Sequence, residues 1–515
     1  MMEILSSVRC IMKEKRWYLF LRNSLWMIAL VCIALVAILN IAVTAEVAYR
    51  GSERVTIINS MGTNLWYVFQ LGVLTLICTL FCERIHCMDE KRLFRFLSLI
   101  YTVMALYLIL NVDTVLRADS QMIFLRSIEF KNGNYEFLQK GQYIYRYSHQ
   151  LNLMLFMQWI IEFSENPAIF FVVNFLMVLG INRTWWKISQ ELFHDKLINI
   201  MTLLLCFSFL PQFFYILFIY GLIPGFFFLT VSFYYSIRFL RTKAWRELAV
   251  MAVCTGMAVL MKPNYLIGAI AQVIFLFLGF LKDKHIRYLI SIVILLFCVT
   301  VPGKLIQKGY EQKTGILLED PCPSVLWVVM GTDIDNRGRG PGWYNSSSWN
   351  TYNQAKYDSE KAAELGKENL KKNWEKIKSE PGRAARFFLD KTCSQWCDPM
   401  YQSVWSGPLE SSGQYTHTPL LQSIYNGEQW EDTIAGIAKR ICLVIWILGT
   451  AFLAIFGKQE KGWELCFLYF VGGFLFHMIW EGKSQYTYTY IFCLIPFAAY
   501  VGSKLIRNIK QPEEK

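Results

Sequence analysis

The chain has 515 residues, 55% of them hydrophobic and 16% aromatic, with a mean hydropathy of +0.33 and a formal net charge of +12. Apolar blocks of about 17–25 residues recur along it, the length a helix needs to cross a hydrocarbon layer roughly 30 Å thick, which excludes a soluble globular protein. The charge is no nucleic-acid surface either: segment 304–436 holds 15 basic and 17 acidic residues, so the positive excess sits in short connectors between apolar blocks, as in cytoplasmic loops.

A basic piece (Arg9, Lys13, Lys15, Arg16, Arg22) precedes the first apolar block. No small-residue cleavage site follows, so the block reads as an uncleaved first span. Spans are predicted at 24–44, 65–82, 95–111, 167–186, 196–212, 214–238, 246–262, 264–281, 286–303, 437–456, 463–481 and 485–506. The connectors 83–94, 239–246, 282–285 and 457–462 are rich in Lys and Arg and fix their side as cytoplasmic. Twelve crossings return the tail (Arg507, Lys510, Lys515) to that side. Residues 149–163 are apolar but short, and counting them as a crossing would put connector 239–246 outside. They are expected to lie along the outer surface as an amphipathic helix, or to enter only partway.

Two segments then face outward, 112–166 and 304–436. The second contains a charged helical run at 352–379, ended by Pro381-Gly382, and has the size of a small α-rich domain. The domain plan is 1–94, an N-terminal cytoplasmic segment with two spans; 95–303, a core with the first external loop 112–166; 304–436, an external soluble domain; and 437–515, three spans and a tail. The 14 cysteines include no CxxC pair and behave mostly as small hydrophobes. A disulfide among Cys322, Cys393 and Cys397 is open if their segment is exported. No metal site is expected.

Chemistry concentrates at the outward ends. Asp113 and Asp119 follow a span directly, where a carboxylate is partly desolvated yet reachable, a placement suited to a general base; helix capping is the plainer role for each. Lys262 and Lys483 interrupt apolar blocks at outer junctions. A lone lysine there is commonly a snorkelling anchor, but charge near lipid is costly and points to function. Tryptophans 185–186, 343, 349, 374, 396 and 405 read partly as an interfacial belt, and those from 343 on also suit stacking against sugar rings. GRGPG at 338–342 lacks the strand-then-helix context of a nucleotide loop, and no cytoplasmic connector is large enough to bind a nucleotide sugar.

The stretches RADSQMI (117–123), NGNYEFL (132–138) and GQYIYRYSHQLNL (141–153) resemble the first external loop of bacterial GT-C glycosyltransferases of the protein O-mannosyltransferase-like kind, family 39. FIYGLIPGFFF (218–228), MKPNYLIG (261–268), VVMGTDIDNRGRGPGWYN (328–345) and WEGKSQYTYTYIF (480–492) continue the likeness, which spans about 95–505 and has a clostridial flavour. The resemblance implies an all-α polytopic membrane protein with a GT-C type helical bundle and an external membrane-associated loop domain. It implies inverting transfer of a sugar from a polyprenyl-phosphate carrier to an external protein, glycan or glycolipid acceptor, at a bacterial plasma membrane, with no certain cofactor. Asp119 would be the base, because the family's acidic pair is here Asp119-Ser120, and Leu222 replaces a second acid. Arg146, His149, Lys262 and Lys483 would stabilise the leaving phosphate, Gln485 and Tyr486 would orient it, and Glu481 would pair with Lys483 or hold the acceptor. The two spans before residue 95 lie outside the family's usual core. A transporter or flippase of lipid-linked saccharides is the alternative; it predicts charges buried at mid-membrane in several spans.

Overall fold

The structure, a computed structural model, describes residues 2–48, 53–81, 87–408 and 414–510, with residues 2–15 and 510 described as backbone alone. The basic side chains Arg9, Lys13, Lys15 and Lys510, connector residues 83–86 and Lys515 therefore lie outside the described side chains. The chain is an all-α polytopic membrane protein; its one sheet among the described residues is a hairpin of Val43–Val47 with Val55–Asn59.

Eight helices are long and apolar enough to cross a membrane, and two further pairs qualify as bent spans. The bends fall between Ser208 and Leu210 (50°) and between Phe492 and Ile495 (48°). Pro211 and Pro496 explain them, since proline has no N–H for the ladder and its ring clashes with the preceding turn. Trp245–Met261 and Glu464–Ile479 are two shorter helices. Together these twelve segments fall on the twelve predicted spans, their ends shifted by several residues.

The first helix begins at Met2 rather than near 24, and the helix expected at 286–303 runs on over Arg287–Thr314. Its polar last turns are held by Gln307 donating to Glu311 (2.9 Å), and Gly315, at φ +72°, stops it. The charged run divides into Ser347–Gln354 and Ser359–Ser379, the latter capped by the Asp358 carboxylate accepting from Lys361 N (3.0 Å). Pro381 does not merely end it: it opens the next helix, Pro381–Trp396, where its missing N–H costs nothing.

The short apolar stretch forms Gln150–Ile161, packed against Asp119–Lys131 and burying Leu151, Leu153, Met154 and Met157. Twelve residues rise about 18 Å, too little to cross. The first helix is no appendage: it packs on Gln429–Ala451, Leu266–Asp283 and Glu464–Ile479 and is integral to the bundle. Helices Met61–Leu80 and Arg287–Thr314 are outermost, with Leu65, Phe69, Val293 and Phe297 exposed, an apolar surface suited to contact with lipid.

Polar side chains inside the bundle are mostly neutral and paired. Gln272 donates to Ser236 (2.9 Å) and accepts from Thr255 (2.7 Å), and Gln212 donates to Asn182 (2.9 Å). Lys439 is a buried exception, held by Asn40 Oδ1 (3.2 Å) and Val43 O (3.0 Å) near the end of the first helix. One end of the bundle gathers Arg22–Glu464 (2.8 Å), Arg507–Asp195 (2.7 Å) and Lys243–Asp283 (3.5 Å). The other end carries the hairpin, residues 111–166 and the polar segment after Thr314.

Candidate functional site

At that second end lies a cavity of about 620 Å³. Its wall comes from seven separate stretches: the hairpin, the turn before helix Asp119–Lys131, residues 143–150, the turns at 218–220 and 261–264, the polar segment, and the turn 480–486. Of the residues picked from sequence, Asp119, Arg146, His149, Lys262, Glu481, Lys483, Gln485 and Tyr486 all line it. Asp113 does not. It is half-exposed, its carboxylate 3.0 Å from His417 Nε2, and its backbone is tied to Tyr415 O (2.8 Å). Asp113 is a surface anchor for the segment after residue 414, so the candidate base reduces to Asp119.

Asp119 opens its helix as the first residue, and Ala118 before it sits at φ +49°, ψ −127°. That backbone is disfavoured for any residue with a Cβ and costs of order 1–3 kcal/mol; it aims the next carboxylate into the cavity rather than along the helix. Oδ2 accepts from Tyr220 (3.3 Å), whose hydroxyl is itself held by Gln150 Nε2 (2.9 Å). The carboxylate remains exposed to the cavity.

Lys262 ends helix Trp245–Met261 and is 5% exposed, yet its ammonium has no hydrogen-bond partner among the described residues. It lies 4.4 Å from the ring centre of Tyr220 and 5.4 Å from that of Tyr486, so ring faces are its compensation. Burial first, and then the Lys483 ammonium, pull its pKa down to about 7, against the opposing pull of Asp119 and Glu481. His149, expected among the cations, is an exposed side chain on the cavity wall, where loss of water in the enclosed site and the Lys262 charge pull its pKa down to about 4. It can donate or accept a hydrogen bond but adds no positive charge. Glu481 moves the other way, pushed up to about 7 by burial despite Lys483. Lys483 itself is kept charged: burial works against it, but Glu53, Glu481 and Asp119 raise its pKa.

Arg146 stacks on Trp349 (3.3 Å from Cζ to the ring centre), and Arg117 stacks on Trp405 (3.5 Å). Trp327 and Trp480 lie nearly parallel at 6.1 Å and present an aromatic wall. Trp343 and Trp396 are fully buried structural residues, and Trp374 is exposed away from the cavity, which leaves only part of the anticipated tryptophan set near it. Cys322, Cys393 and Cys397 are free thiols, and the disulfide left open by the sequence is not formed. No cluster of metal-ligating side chains occurs among the described residues.

Sequence reasoning missed Glu53, Arg117, Tyr220, Trp327, Arg339 and Trp480. Tyr220 was within reach, being part of the Tyr220-Gly221 turn. Glu53 carried no signal beyond being an acid between two spans.

Comparison with protein-family models, with curated proteins and with solved structures gives no match. The functional reading therefore rests on the side chains of this cavity and on the motif resemblance.

Proposed function

We propose that this chain is an inverting membrane glycosyltransferase of GT-C type that moves a sugar from a polyprenyl-phosphate carrier to a hydroxyl acceptor, in a cavity on the extracytoplasmic face. The observation that carries the reading is the pairing, in one cavity at one end of the helix bundle, of a reachable carboxylate with a buried ammonium that has no hydrogen-bond partner among the described residues. Asp119 takes the acceptor proton as the acceptor oxygen attacks the anomeric carbon. The bond to the phosphate oxygen breaks, and the lipid phosphate leaves as an anion that needs positive charge more than a proton. Lys262 supplies that charge, with Lys483 behind it; Gln485 and Tyr486 offer hydrogen bonds to the phosphate. Neutral His149 is placed to hydrogen-bond donor or acceptor. Arg146 and the aromatic wall suit the faces of sugar rings.

The transporter alternative gains nothing from the bundle interior, where the polar groups are mainly neutral and mutually bonded. The deciding measurement is sugar transfer by purified protein from labelled polyprenyl-phosphate sugars. Wild type should transfer and Asp119→Asn should lose more than about a hundredfold in kcat/KM, while Asp113→Asn stays within about twofold of wild type. Full activity in Asp119→Asn removes the base assignment. Saccharide movement across vesicles without transfer replaces the reading with the transporter.

A further inference from the structure

Glu53 is a carboxylate buried to 3% exposure in the connector between the first two spans. Three groups from distant parts of the chain converge on it. Lys483 Nζ lies 3.1 Å from Oε1, Gln402 Nε2 donates to the same oxygen at 2.8 Å, and Arg339 Nη1 reaches Oε2 at 3.3 Å. With both oxygens engaged and two cations beside it, Glu53 is neutralised twice over and is not available as a base. Burial alone would raise its pKa, but Lys483, Gln402 and Arg339 outweigh burial and hold the carboxyl below its usual range.

The backbone around it is clamped. Val55 N donates to Arg339 O (2.7 Å) and Ala45 N to Cys397 O (3.1 Å). The glycine-rich loop 338–342 is wedged between the hairpin and the turn that carries Lys483: Gly482 N donates to Gly342 O (2.8 Å). At Gly340 an added Cβ would strike the Val55 and Trp343 side chains, so the loop is closely packed at that point. The charges that face Lys483 are Glu53 from the hairpin, Glu481 from its own turn, Asp119 from the first polar loop and Lys262 from the turn opposite. Among these, the ion pair and hydrogen bond to Glu53 are the contacts that fix where the ammonium sits.

Resting on the glycosyltransferase reading, we propose that Glu53 is a positioning residue that holds the Lys483 ammonium at the cavity wall, so that the N-terminal hairpin and its two spans are part of the transfer site. Glu53 acts through Lys483 and touches no reacting atom.

The test uses full-length protein in detergent and two readouts. Competitive acetylation with acetic anhydride across pH, read by mass spectrometry at Lys483, gives the titration of that amine directly. In Glu53→Gln the Lys483 midpoint should fall by about one pH unit or more and kcat should drop about tenfold or more, with Glu53→Asp restoring both in part. Arg339→Gln is the second arm, for the case in which Glu53→Gln does not fold: it removes the rival cation, so the Lys483 midpoint should hold or rise. A Lys483 titration unchanged in Glu53→Gln, or lowered in Arg339→Gln, overturns the proposal. The expected midpoint shifts in a protein whose wild type transfers no sugar would retire the enzymatic reading alone and leave the Glu53–Lys483 linkage standing.

Discussion

Lys262 is the side chain whose surroundings most require a ligand. A buried ammonium without a hydrogen-bond acceptor is costly, and two ring faces compensate only in part. An anion beside it changes the balance by favouring the charged form. The sign follows from its pKa of about 7: the protonated form binds phosphate, so affinity is full below that pH and falls as pH rises through it. Glu481, with a pKa also near 7, gains its negative charge over the same interval and adds to the loss. The affinity of wild type for polyprenyl phosphate, followed by titration calorimetry, should therefore weaken above about pH 7, toward tenfold per pH unit. Lys262→Arg should flatten this dependence, because a guanidinium stays charged, and Lys262→Met should abolish tight binding. Wild-type affinity that is flat over about pH 6–9 would remove Lys262 from the phosphate seat.

The turns between helices set these side chains in place, and one glycine matters most. Gly221, at φ +71°, joins the short helical turn ending near Leu217 to helix Leu222–Thr242, and an added Cβ would run into the Met261 carbonyl. Tyr220 and Lys262 are the immediate chain neighbours of these two contacting residues. The same close approach therefore sets the ring of Tyr220 against the ammonium of Lys262. Gly221→Ala should lower both the thermal midpoint and transfer, at a folding cost of roughly 1–3 kcal/mol, with transfer falling further than stability explains. Gly133, at φ +79°, is the control: nothing lies within 4 Å of the place a Cβ would take there. Gly133→Ala should cost about 1 kcal/mol of backbone strain and leave kcat unchanged. The need for glycine at 221 is invisible in the sequence, because the obstructing carbonyl belongs to a residue 40 positions away.

Across the whole molecule, successive helices cross the bundle end to end, and the ion pairs of the basic connectors gather opposite the cavity. The proposed face can be read directly. Trp374, exposed in the polar segment, should react in intact cells with a membrane-impermeant thiol reagent once made Trp374→Cys. Cys87, exposed in the connector at the opposite end, should react only after the membrane is opened. The reverse pattern would turn the cavity toward the cytosol and end the proposed use of an extracytoplasmic acceptor.

The spans were legible because their cause is local: a helix that meets lipid along its length must be apolar for about twenty residues, whatever its neighbours are. The candidate charges were legible for a related reason, since Asp119, Lys262 and Lys483 stand where solvation is expensive and an idle charge is disfavoured. The motif singled out Asp119 over Asp113, but not the surroundings of either: six residues apart, one is bound to His417 on the surface and the other faces the cavity. The sequence held no sign that Glu53 meets Gln402, 349 positions away, or that the first helix lies inside the bundle. Those facts depend on which helix ends come together, and only the packing of the helices decides that. Hydropathy fixes the crossings one at a time, whereas a cavity walled by seven separate stretches exists only once all of them have been placed.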